Sequence, residues 1–125
     1  MADFQPDLTT ETYTPDDLVV SGADIVTREE TLVSGQNLNR GAVLGKISYS
    51  GKLTHVDDNQ ADGSQYPFAF LSVDTDASGG DKQTIVYITG EFNENSLTFG
   101  GDDTIDNHRD AMRDIGLFTK PAQSR

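Results

Sequence analysis

The residues able to do chemistry are few in kind. The 125-residue chain has two histidines, no cysteine and 21 Asp plus Glu. Without cysteine there are no disulfides, no thiolate catalysis and no cysteine metal sites. One pattern is shaped like a calcium loop. Asp74-Thr75-Asp76-Ala77-Ser78-Gly79 puts oxygen-bearing side chains at the first, third and fifth positions and glycine at the sixth. The twelfth position is Ile85, where such a loop needs a bidentate Glu, and no helix enters or leaves. The segment therefore reads as a flexible hairpin loop. His55 has no second ligand near it in sequence, and His108 falls on an apolar helical stripe, so both read as structural. Carboxylates are abundant but carry no spacing that pairs them. There is no nucleophile with a base and no phosphate loop. Neither an enzyme, a cofactor nor a metal site is expected.

Charge narrows the partners. The formal net charge is −12, and the pI is near 4.2. Such a chain repels nucleic-acid phosphates and anionic membranes, so neither is an expected partner. Hydrophobic residues make up 34%, with 12 glycines, which allows one domain with a thin core. A thin core favours completion of the fold by an oligomer interface. The first residues, Met-Ala-Asp-Phe-Gln-Pro-Asp, show neither a basic region nor an apolar one, so no signal peptide is expected. No apolar run approaches the roughly 18 residues of a membrane span. The reading is a soluble protein made in a cytoplasm.

The elements that must position these residues are mostly strands. Leu32–Ile47 is punctuated by Gly35, Gly41 and Gly45. It reads as a hairpin of two short strands around a Ser34–Asn37 turn, with a kink in the second strand. Lys52–Val56 alternates like a half-buried strand. Tyr66–Val73 is apolar on both faces and reads as a buried central strand that Pro67 can start. Thr84–Thr89 is rich in branched and aromatic residues, and Gly90 suits a bulge that re-aims Phe92. Leu97–Phe99 is a further extended piece. The period then changes. Asp102–Ile115 reads as a helix with Asp103 or Thr104 as cap and Ile105, His108, Met112 and Ile115 as its apolar stripe. Gly116 fits the position after the helix, and Arg109 and Arg113 can pair with Asp106 and Asp110. The fold class expected is mainly β with one short C-terminal helix, a small mixed α+β domain with an extended N-terminal arm.

The arm is assigned to residues 1–28 and the compact β-rich domain to 29–125. The segment up to Asp17 is polar and acidic, with Pro6 and Pro15, and lacks the apolar content to order itself. Leu18-Val19-Val20 and Ala23–Thr27 are strand-sized pieces that an arm can offer to a partner by β-augmentation. Tyr13, Pro15, Leu18, Val19 and Val20 are the arm's candidate contacts. Arg40, a cation in an acidic chain, is a candidate salt bridge or partner contact, and Phe118 a core or interface residue.

Several of these stretches together resemble the phage head decoration proteins of the lambda gpD-like family. They are Leu32–Lys46, Phe70-Leu71-Ser72-Val73-Asp74, Gly90-Glu91-Phe92-Asn93 and Ala111–Phe118, in that order. The likeness spans about residues 18–120. It implies a homotrimer on the outer surface of a phage capsid, at three-fold and quasi-three-fold sites of the expanded head. There it would stabilise the head against internal DNA pressure. It implies the major capsid protein as partner, contacted by the arm at Tyr13, Pro15, Leu18, Val19 and Val20. Arg40 and Phe118 then become trimer or capsid contacts. The competing reading from the residues is a carbohydrate-binding or adhesive β-module using Tyr49, Tyr66 and Tyr87, which the absence of tryptophan weakens.

Overall fold

In the computed structural model, which describes residues 18–120, the branched and aromatic runs become strands and the period change becomes a helix. The order is β1 (Val19–Leu32), β2 (Asn37–Leu38), β3 (Val43–Lys46), β4 (Leu53–His55), β5 (Pro67–Leu71), β6 (Thr75–Asp76) and β7 (Lys82–Asn93). A 3₁₀ turn at Glu94–Ser96, helix α1 (Ile105–Asp114) and β8 (Leu117–Lys120) complete it. The fold is mainly β with one short helix near the C-terminus, as the sequence suggests. Among the described residues no helix is long and apolar enough to cross a membrane.

One six-stranded sheet runs β1-β4-β3-β5-β7-β8, and β1 also pairs with β7. That second pairing closes β1, β4, β3, β5 and β7 into a ring, with β8 added in parallel along the end of β7. The closing ladder is antiparallel and long, from Leu32↔Lys82 back to Val19↔Phe92. Its β1–β4 seam is short, a parallel pairing at Leu32↔Leu53. The small sheet of β2 and β6 lies apart.

Closure explains why apolar residues run consecutively. Val43 and Phe70 belong to one buried cluster, with Leu18, Val56, Phe92, Leu97, Met112 and Leu117. Their neighbours Leu44, Ala69 and Leu71 belong to another, with Leu32, Leu53 and Val86. Successive strand residues point to opposite faces, so a strand buried on both cannot alternate with polar residues. The centre of the first cluster is aromatic: Phe92 meets Phe70 edge-on at 4.8 Å and Tyr87 at 5.2 Å.

Two glycines of the Leu32–Ile47 stretch are required by close approach. A Cβ on Gly45 would strike the backbone of Ser64, and one on Gly41, at φ +99°, would strike the Ser96 carbonyl. Gly45 is also where the β3–β5 register slips, Leu44↔Ala69 being followed by Gly45↔Pro67. This is the kink expected in the second strand. The hairpin is a correction. β1 and β3 do not pair; β4 lies between them. The connecting loop is drawn away instead, because Ser34 N–H donates to Asp81 and Gly35 N–H to the Ala77 carbonyl, and β2 then pairs with β6.

The other departures have similar causes. The Asp74–Asp81 segment is tied down: Asp76 accepts from the Ser78 amide and hydroxyl, and Thr75 and Thr84 share a buried hydroxyl bond at 2.7 Å. The helix starts at Ile105, after Thr104, whose N–H donates to Asn107 Oδ1 at 2.6 Å. Ile115 is its C-cap and is 43% exposed, so the stripe ends at Met112. Arg109 bonds Asp106 at 2.7 Å as expected, and also Glu94 at 2.9 Å. Gly116 takes the positive φ of +90° that its place after the cap requires. Opposite Gly90, the irregularity is carried by β1: residues 22–25 stand between Ser21↔Glu91 and Val26↔Thr89.

Gly45→Ala is expected to cost about 1–3 kcal/mol, the usual range for overpacking, because the obstruction is backbone. Gly79 meets nothing within 4 Å and has no positive φ. Gly79→Ala should therefore be neutral or stabilising by about 0.4–1 kcal/mol. Urea unfolding of the two variants checks both.

Three loop aspartates also set an acid limit. The Ser64 hydroxyl and amide hold Asp62 below the usual carboxylate range, the Ser78 hydroxyl and amide do so for Asp76, and the Lys52 ammonium with the Ser34 amide does so for Asp81. A depressed folded pKa gives stability that is present above the unfolded value, near 3.9, and lost as pH falls through the folded one. Thermal midpoints should fall as pH drops below about 4, and Asp76→Asn or Asp62→Asn should flatten that decline. An unchanged profile in both variants would refute it.

Candidate functional site

The arm's candidate residues divide at Leu18. Tyr13 and Pro15 lie outside the described residues. Leu18 is 1% exposed and sits in the cluster of Phe92 and Leu117, and its carbonyl accepts from Asn93 N–H at 2.8 Å. Val19 and Val20 are half-buried, and Val19 packs on the same cluster opposite Phe92. The strand-forming residues of this region are thus paired with β7 of their own chain. The boundary drawn at residue 28 falls inside β1, where Val26–Leu32 pair with β7. The chain leaves the sheet at Leu18, a buried anchor at the root of the preceding segment.

Arg40 lies between β2 and β3. Its guanidinium donates to the Ser72 carbonyl and the Tyr87 hydroxyl, both at 2.8 Å, and lies 5.6 Å from the Tyr87 ring centre. Its backbone N–H donates to Asp74 Oδ1 at 2.7 Å. Arg40 therefore ties the β5–β6 turn to β7 through one guanidinium nitrogen that donates to both. The Tyr87 hydroxyl and ring are engaged in the same contact, while Tyr49 and Tyr66 are 85% and 65% exposed.

Phe118 is placed quite differently. It stands on β8, opposite Glu91, and is half-exposed, with Ile115 exposed just before it. Two apolar side chains so close in sequence at a sheet's edge make a surface that water solvates poorly. Val73 and Ile85 are exposed in another place, where β1, β6 and β7 border an open groove of about 360 Å³ with Glu29 and Lys82 at its sides. Phe68 is shielded by cations: Lys46 lies 4.8 Å and Arg28 5.4 Å from its ring centre.

His108 has more company than its sequence neighbours suggest. Its Nε2 lies 2.6 Å from Asp103 Oδ2 and 3.8 Å from Asp58 Oδ1. Phe99 stacks on its ring at 5.7 Å, and Asp58 N–H donates to Asp103 at 2.8 Å. The other histidine, His55, meets the Thr98 carbonyl through Nε2, at 3.1 Å. Nothing in the sequence joins Asp58 to His108, because the loop after β4 meets the approach to α1 only in the closed fold. The described residues thus offer an anchored root, a half-exposed edge strand and a groove as surfaces.

The profile of the family described as bacteriophage lambda head decoration protein D matches residues 8–117. No curated protein sequence matches the chain significantly. The match covers most of the chain, which therefore belongs to the bacteriophage lambda head decoration protein D family. As a member of it, this is a structural protein of the virion with a role in capsid decoration, and it binds at the capsid surface.

Proposed function

We propose that this head decoration protein cements the capsid as a homotrimer, seated on the major capsid protein at three-fold and quasi-three-fold sites of the expanded head. The observation that carries the reading is the family match over residues 8–117. It begins ten residues before Leu18, so the segment ahead of the sheet is part of the family's unit. In this reading that segment, with Tyr13 and Pro15, is the part of the arm that adds strands to capsid subunits, and it supplies backbone hydrogen bonds as affinity. Leu18, Val19 and Val20 act differently: they fix the root of the arm to the core, so that force on the arm reaches the whole domain. Phe118 on edge strand β8 is a contact between copies or with the shell, while Arg40 serves it indirectly by holding the β5–β6 turn.

Cementing needs no catalytic group, and the protein's work is collective. Many copies share one shell, and each arm engages at the high effective concentration set by its anchored root. A modest affinity per contact then opposes expansion driven by the packaged DNA. Synthesis in the host cytoplasm fits the assembly of such a shell.

Mass measurement in solution, followed by co-sedimentation with expanded and unexpanded capsids, tests this directly. A trimer that pellets with expanded heads alone is expected; a monomer that ignores both shells would overturn it. Deleting residues 2–17, which spares Leu18, should leave the thermal midpoint nearly unchanged while capsid binding falls at least ten-fold. Phe118→Asp should likewise spare folding but weaken trimerisation or capsid binding. Full binding by the truncated protein would remove the arm from the mechanism.

A further inference from the structure

We propose that Asp58, Asp103 and His108 form a binding site for a divalent transition metal of the zinc class. Among the described residues, these three bring one ligand atom each to within 4.8 Å of one another. They come from three places: the loop after β4, the turn before α1, and α1 itself. A neutral imidazole nitrogen and two carboxylate oxygens suit zinc, cobalt or nickel rather than magnesium or calcium, which take all-oxygen shells. Three protein ligands leave a fourth position of a tetrahedral ion for water.

The burial is graded in the way an enterable site requires. The His108 and Asp103 side chains are 2% and 4% exposed, while that of Asp58 is 49% exposed. Two ligands are therefore held close together by burial, and the third can swing in from solvent as the ion arrives. The Phe99 ring, stacked 5.7 Å from His108, holds the imidazole plane. The 2.6 Å contact between His108 Nε2 and Asp103 must open as the ion enters, since ligand atoms at about 2.0–2.2 Å from zinc stand farther apart. Two carboxylates in a chain of net charge −12 supply the field that draws a cation there. Bound metal would pin the loop after β4 to α1, and through α1 to β8.

The test uses the full chain, stripped with chelator and titrated with zinc chloride by calorimetry and thermal unfolding. One zinc per chain and a rise of several degrees in the midpoint are expected, with no rise for magnesium at the same concentration. Asp58→Asn, a change at an exposed position, should weaken zinc binding at least ten-fold while the metal-free midpoint stays close to the parent's. His108→Gln should abolish binding, and if that buried change prevents folding, Asp58→Asn decides alone. His55→Gln should bind as the parent does. Absence of zinc binding, or undiminished binding by Asp58→Asn, overturns the proposal.

Discussion

The antiparallel ladder between β1 and β7 is the interaction on which the remaining structure depends. It turns an open sheet into a ring and so creates two buried faces from one layer of strands. Val43 and Leu44, or Ala69, Phe70 and Leu71, can all be buried only because both faces are covered. A small domain with a modest apolar fraction gains from this, since each residue of a central strand contributes to one cluster or the other. The clusters meet at β5 and β7. There Phe92 stands against Phe70, and the helix side of the domain closes over them with Met112.

Local signals were legible where one residue type permits one outcome. Pro67 at the start of a strand, the branched run at Thr84–Thr89, and Gly116 after a helix each state a backbone requirement, and each was met. Gly45 was readable as a kink, although the obstructing Ser64 backbone was not. What could not be read were pairings that a local pattern leaves open. The Leu32–Ile47 stretch has the composition of a hairpin, yet Asp81 and Ala77 capture its loop and β4 takes the place between its strands. Ile115 had the right spacing for the stripe, but the helix ends where Gly116 turns the chain away.

The functional surface was less legible than the fold, for a physical reason. Leu18, Val19 and Val20 have the same apolar character whether they meet a partner or their own core, and only closure of the ring decides between the two. Arg40 stood out by charge alone; the Ser72 carbonyl and Tyr87 hydroxyl that its guanidinium reaches are invisible to any reckoning of acids and bases. Asp58 and His108 carried no signal, because their meeting depends on two loops brought together by tertiary structure. The family relationship supplies the capsid role, while the fold shows which side chains are exposed and which are buried in the core.

The unevenness of the β1–β7 ladder has a mechanical consequence. A pull on the chain ahead of Leu18, directed along β1, loads the ladder in shear. The regular rungs from Thr27 to Leu32 share that load, whereas peeling would break them singly. The extra length at residues 22–25, opposite Gly90, sits between the pull and those rungs. It is length in series with the ladder, four residues standing opposite one. In the proposed cementing role, a pull on the arm would draw on that extra length before it loaded those rungs.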